Sequence, residues 1–334
     1  MTLKSVKYIL NCKKYSELFS ADSKEAKKQF REYCKLYHPD ANDSEEAARV
    51  FAHINEIYST GMSTTSGGYS GKEEVTFKDK ETGKGFTLTN AHKFATSTCI
   101  VYHTSTKVVF VFDKQKYYDN YIKSVEGLKY KDSNMKKEMA RYFPVINRHF
   151  ETEDGQFVIV INKTTEVLNL GEIYKAYALK GEKIPGTQVA WMINRLYNLT
   201  CYNNYVMHRA FNGLSLENLW VSPEMHSILL LGGNEFAVKQ GEKMIGVPAD
   251  VYDTMQIKTK SNKISSISTD LESIRALGRK LCVSNKDVEL LYEFFNHGVK
   301  EADPLKEWKA YEKVMVEQFG KRQFIVWDDV PYTK

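Results

Sequence analysis

A histidine, a proline and an aspartate in succession, His38-Pro39-Asp40, offer an imidazole, a fixed backbone angle and a carboxylate on one short loop between two helical patterns. Such a loop suits docking rather than catalysis. An exposed Asp40 beside cations pairs readily with an arginine on another molecule, and the tripeptide itself implies no reaction. The cations lie just upstream: Lys27, Arg31 and Lys35 stand four apart, with Lys24 and Lys28 on the adjoining row of one helix. A lysine-rich helical face taken alone is most often merely solvated; this one leads directly into the loop.

Two elements must hold that loop. Ala26, Phe30, Tyr33, Cys34 and Tyr37 recur at the spacing of one apolar stripe on a helix over Ser23 to Tyr37. Ala47, Phe51, Ile54 and Tyr58 repeat it over Ser44 to Tyr58. A connection of about six residues makes such helices antiparallel neighbours, each burying the other's stripe. Ser23 is the expected N-cap of the first, Pro39 cannot continue it, and Ser44 with Glu45 and Glu46 opens the second with acid at its positive end.

With these residues in place, residues 15 to 58 resemble a J-domain, the hallmark of the DnaJ family of co-chaperones. Tyr15-Ser16-Glu17-Leu18-Phe19 is similar to its short first helix, Glu25 to Arg31 to the basic second and Phe51 to Tyr58 to the third; His38-Pro39-Asp40 matches the H-P-D loop residue for residue. The resemblance implies stimulation of ATP hydrolysis by a DnaK-type chaperone, contacted through His38, Pro39, Asp40, Lys24, Lys27, Lys28, Arg31 and Lys35.

The chain has 334 residues, too many for a helical hairpin alone. Its net charge of +5 comes from interspersed acids and bases, which does not argue for nucleic acid. No apolar run reaches membrane length, and Met1 to Cys12 lacks the long apolar core of a secretory signal. Five scattered cysteines without a C-x-x-C pair fit reduced thiols, so a soluble cytoplasmic protein with neither membrane nor nucleic-acid partner is expected. Ser59 to Lys72 is rich in Ser, Thr and Gly without periodicity and reads as a flexible linker. The expected organisation is a helical domain at 1–60, a linker at 61–73, a β-rich lobe at 74–162 and a helical lobe at 163–334.

Short β runs occur at Val75 to Phe77, Phe86 to Thr89, Thr98 to His103 and Lys107 to Phe112, divided by turn residues. A helix is predicted around Asn134 to Tyr142 and a strand at Phe157 to Ile161. Beyond Thr187 helices dominate: Val189, Ile193, Leu196 and Leu199 line a long one, and others are predicted at Thr269 to Leu281, Lys286 to His297 and Pro304 to Phe319. One hairpin, Leu219 to Val221 with Ser227 to Leu231, interrupts them. The fold class is therefore α+β, an all-α module followed by two lobes. This order resembles a protein kinase over residues 86 to 325, most closely degenerate bacterial and phage kinase-like domains. Leu214 to Val221 is similar to the L-K-P-E-N-I-L-V segment, and Thr269 to Ile274 to the helix whose aspartate, Asp270, supports the catalytic loop; Asp270 is expected to be buried and bound by backbone amides.

A working kinase needs a base aspartate, metal-holding groups, a phosphate-pairing lysine and a glycine loop. Under the resemblance, the base falls on Gly213, counting from Asn218, or on Ala210 if His208-Arg209 is the H-R pair. The metal-binding aspartate falls on Leu231 or Gly232. Val111 stands where the lysine belongs, Ala91 to Ser97 lacks the loop's glycines, and Glu138 takes the helix glutamate position without a partner. Gly232-Gly233 reads as a tight turn rather than a phosphate loop. No metal spacing and no nucleophile elbow occur, and no cofactor is expected. The resulting expectation is a co-chaperone whose second domain is a catalytically inactive kinase-like platform for an unknown client protein. The rivals are a nucleotide-binding or atypical transferase enzyme using the same cleft, and a decoy that sequesters host DnaK.

Overall fold

The computed structural model describes residues 4–20, 22–37, 42, 44–62, 73–282, 288–321, 324–327 and 330–332. Four helices open the chain: α1 (Val6–Asn11), α2 (Tyr15–Leu18), α3 (Ser23–Tyr37) and α4 (Glu45–Met62). Ala26, Phe30, Tyr33 and Cys34 of α3 are buried against Phe51, Ile54 and Tyr58 of α4, as the two stripes require. Phe30 stacks on Tyr58 at 4.0 Å between ring centroids, and Phe19 meets the same tyrosine edge-on at 5.1 Å. The cap of α3 falls on Asp22, one residue earlier than expected: the helix begins at Ser23, and Asp22 Oδ1 accepts the Glu25 amide at 2.8 Å. Ser44 Oγ accepts the Ala47 amide at 3.2 Å and caps α4. That helix runs through Tyr58 to Met62, taking in the first residues of the expected linker; 63–72 lie outside the described residues.

Next comes a six-stranded antiparallel sheet in the order β1-β2-β3-β4-β6-β5. The strands are β1 (Glu73–Lys78), β2 (Gly85–Ala95), β3 (Cys99–His103), β4 (Lys107–Phe112), β5 (Ile146–Glu151) and β6 (Phe157–Asn162). Two helices, α5 (Gln115–Glu126) and α6 (Ser133–Met139), lie between β4 and β5. Alternation along β4 divides its side chains: Val108, Phe110 and Phe112 pack with Tyr121 and Val125 of α5, whereas Val109 and Val111 pack with Phe77, Leu88 and Val158. The sequence reading missed α5 and β5. Helix α5 hides its stripe in tyrosines, Tyr117 and Tyr121 before Val125, and β5 carries Asn147, Arg148 and His149 at the sheet edge.

The helical lobe contains β7 (Leu168–Asn169), α7 (Leu170–Leu179), α8 (Gly186–Tyr205), β8 (Arg209–Ala210), the hairpin β9 (Trp220–Ser222) and β10 (Ser227–Leu229), and β11 (Val238–Lys239). Five helices follow: α9 (Ala249–Thr254), α10 (Ile257–Asn262), α11 (Ile267–Leu281), α12 (Glu289–Asn296) and α13 (Pro304–Phe319). Its core centres on α8, where Val189, Met192, Ile193, Leu196 and Tyr197 are buried among residues of α11, α12 and α13. Among the described residues no helix is long and apolar enough to cross a membrane.

The first four helices are packed against this lobe. The Tyr58 hydroxyl donates to Glu224 Oε2 at 2.7 Å in a buried contact, and Met225 and Phe324 pack on the core formed by α3 and α4. Glu224 and Met225 lie in the turn of the β9–β10 hairpin. The C-terminal segment then crosses the lobe: Phe324 stacks on His226 at 4.2 Å, the Ile325 carbonyl accepts from His226 Nε2 at 2.6 Å, and Trp327 Nε1 donates to the Tyr177 hydroxyl at 3.1 Å. It ends with Tyr332 donating to Glu172 Oε2, at the junction of the two lobes.

Candidate functional site

Of the expected docking residues, His38, Pro39 and Asp40 lie outside the described residues. Lys24, Lys27, Lys28, Arg31 and Lys35 all fall on α3, with Lys28 and Lys35 exposed and Arg31 half-buried; Lys35 pairs with Glu32 at 2.6 Å. The helix leaves Lys28, Arg31 and Lys35 off its buried stripe. They flank the H-P-D sequence at its end.

At the junction of the two lobes, the structure brings several of the other named positions together. Asp270 accepts the Phe211 amide on Oδ2 and the Asn212 amide on Oδ1, each at 2.7 Å. Burial pushes its carboxyl up to about 7 against those two lowering bonds. This anchor fixes the two residues before Gly213. Gly213 in turn meets Asn218, whose Nδ2 donates to its carbonyl at 3.0 Å, and the Asn218 carbonyl accepts the Gly232 amide at 3.1 Å. Ala210, the other position left open for the base, is paired with Val238 in a two-strand ladder.

Gly213 and Gly233 are in backbone contact. A Cβ on Gly213 would stand 2.7 Å from the Gly233 oxygen, so no side chain fits there, while Gly233 holds a left-handed φ of 81°. A Cβ on Gly232 would meet the Asn218 Cα at 3.0 Å. Leu231 is buried against the sheet, and its carbonyl accepts the Tyr121 hydroxyl at 2.6 Å. Another buried carboxylate beside this junction is Glu235, 1% exposed, which takes the Thr98 hydroxyl at 2.7 Å and is pushed up to about 7 by burial.

Val111 and Glu138 do not join this group. Val111 faces away from α5, on the opposite side of the sheet, because the residue facing the helix at this register is Phe110. Glu138 sits on α6, is exposed and pairs with Arg141 at 3.3 Å; the helix packed on β4 is α5, so the expected helix position belongs there. Residues 91–95 of the expected glycine loop are strand rather than loop, and the turn is confined to 96–98.

Sequence reasoning takes Trp220 as a core aromatic, which its burial bears out, but misses the side chains gathered around it between the lobes. Trp220 is fully buried from the helical side, with the His103 ring edge-on at 5.4 Å and Phe94 at 6.5 Å. His103 Nε2 lies 3.1 Å from Glu172 Oε2, and burial, its largest influence, holds the imidazole below its usual pKa. Tyr332 closes the set from the C-terminal segment. No local spacing joins residues 94, 103, 172, 220 and 332, so only the fold assembles them. Among the described residues, no cluster of three His, Cys, Asp or Glu could hold a metal.

Comparisons with known proteins agree with this division. Residues 9–62 match the DnaJ domain family. The DnaJ-like protein MG200 of Mycoplasma genitalium is 56% identical over 36 residues, which make up 11% of this chain and 6% of that protein. Among solved structures, vaccinia related kinase 3 superposes with a TM-score of 0.50 at 13% identity, covering 79% of this chain and 96% of that one. The BubR1 kinase domain gives 0.49 at 7% identity, covering 76% and 86%. A DnaJ domain implies an Hsp70 or DnaK-type partner in general, and the 13% identity to vaccinia related kinase 3 carries the fold alone. This chain therefore joins a DnaJ domain at residues 9–62 to a two-lobed unit with a protein-kinase-like fold.

Proposed function

We propose that this protein is a co-chaperone that stimulates ATP hydrolysis by a DnaK-type chaperone through His38, Pro39, Asp40 and the basic face of α3, while its kinase-like unit serves as a catalytically silent platform for a client. The DnaJ domain at 9–62 carries the first half of this reading. The second rests on the junction of the lobes: phosphoryl transfer is positioning and charge neutralisation, and the backbone contact of Gly213 with Gly233 leaves no space for a base carboxylate. Trp220, His103, Phe94 and Tyr332 pack ring against ring between the lobes, which supports a cleft filled by side chains instead of a nucleotide base.

Steady-state ATPase of a bacterial DnaK, measured with the full chain and with His38→Gln, tests the first half. Stimulation by the wild type and its loss in the variant are expected; no stimulation across several such chaperones overturns it. Thermal unfolding with ATP and magnesium tests the second. A protein with a silent cleft keeps its Tm, whereas a saturable rise, about 2.7 kcal/mol of stabilisation at a hundredfold excess over Kd, would make the unit a nucleotide binder.

A further inference from the structure

Between the C-terminal end of α5, the approach to β8 and the turn after β11 lies a cavity of about 630 Å³. Four lysines line it, Lys123, Lys129, Lys239 and Lys243, against the single carboxylate of Glu242. All four are exposed, and among the described residues none of their ammonium groups has an ion pair or hydrogen bond. Elsewhere Lys35, Lys78, Lys80, Lys93 and Lys306 each face a carboxylate within 4 Å. Cations gathered without counter-charge repel one another and create a field that attracts anions. Complementing the negative end of α5 accounts for Lys123 in its last turn, but not for Lys239 and Lys243, which arrive from β11 and beyond.

The wall of the cavity supplies an independent observation. Arg209 is 5% exposed, its Nε donates to Asn203 Oδ1 at 2.8 Å, and its Nη1 donates to Ser124 Oγ at 2.8 Å and Ser124 O at 3.0 Å. Its Nη2 has no partner, and no carboxylate lies within ion-pair distance among the described residues. Asp270, the acid whose charge acts on it, is taken up by the Phe211 and Asn212 amides. A buried guanidinium without a paired counterion is costly, so the wall and the rim share one deficit of negative charge.

We propose that this cavity is a binding site for a small phosphate-bearing anion with an apolar body. A single carboxylate would leave most of the rim cations unmatched, whereas phosphate oxygens take several lysine donors together, over a wall where the buried Arg209 adds positive charge. Met207, Val238 and Ile245 give the remaining wall an apolar character, and the volume falls in the range of about 300–1,000 Å³ typical of small-molecule sites. The site shares no lining residue with the cluster of Phe94, His103, Trp220 and Tyr332 and does not depend on the DnaK reading.

Calorimetric titration of the full chain with pyrophosphate and with phenyl phosphate, at constant ionic strength, tests it against the Lys239→Glu/Lys243→Glu variant. Saturable binding that weakens about tenfold or more in the variant is expected, with an unchanged circular-dichroism spectrum. Should that variant misfold, Lys123→Ala/Lys129→Ala removes the opposite rim with the same expected loss. Absence of saturable binding, equal binding by a folded variant, or equally tight binding of a poly-glutamate peptide would each overturn the assignment.

Discussion

Gly213 and Glu235 show how single residues define the junction of the lobes. Because the Cβ of an alanine at 213 would meet the Gly233 oxygen at 2.7 Å and the Phe236 ring at 3.1 Å, Gly213→Ala is expected to cost about 1–3 kcal/mol through overpacking, read as a lower urea midpoint. Gly213→Asp should lose more stability and gain no phosphotransfer. Glu235 makes a prediction of pH dependence. Burial raises its folded pKa from 4.5 to about 7, so the native state retains a proton that the unfolded chain has released between those values. Its contribution to stability is therefore greatest below about pH 4.5 and is lost as pH rises through about 7. Urea unfolding of Glu235→Gln across this range should remove up to roughly 3 kcal/mol of that decline; an unchanged slope would show that Glu235 is not the group responsible.

At the scale of elements, patterning was informative wherever apolar residues kept a clear period. The stripes of α3 and α4 and the strands β3, β4 and β6 all lie where alternation or helical spacing places them. Helix α5 escaped because tyrosine alternates between apolar body and polar tip, and β5 because an edge strand tolerates charge. The cap of α3 slipped by one residue for a local reason, two adjacent side chains both able to accept an amide. Asp22→Ala should therefore cost about 1 kcal/mol, with hydrogen exchange rising first at the N-terminal turn of α3.

On the scale of the molecule, a buried hydrogen bond and the packing of Met225 and Phe324 join the DnaJ domain to the helical lobe, so ligands on the two units would be held in a fixed relation as well as a tethered one. Tyr58→Phe withdraws a donor from Glu224 while keeping the Phe30 stack, at a cost of about 1–3 kcal/mol. If the two units are coupled through this contact, amides of α4 and of the β9–β10 hairpin lose exchange protection together in that variant. Loss confined to α4 would show that the units open independently.

The amino-acid sequence by itself determined the local matters: the paired helices, the H-P-D tripeptide in the sequence between them, the succession of strands and helices after Glu73, and the absence of acids at positions 213 and 232. These depend on neighbours a few residues apart, where periodicity and turn chemistry act. Tertiary structure decided which residues share a site. Strand alternation turned Val111 away from α5, the amide anchor on Asp270 set Gly213 against Gly233, and the crossing of the C-terminal segment placed Tyr332 beside His103 and Glu172. Lysines from α5 and from β11 and the turn after it meet around one cavity for the same reason: chain crossings, not spacing, bring them together.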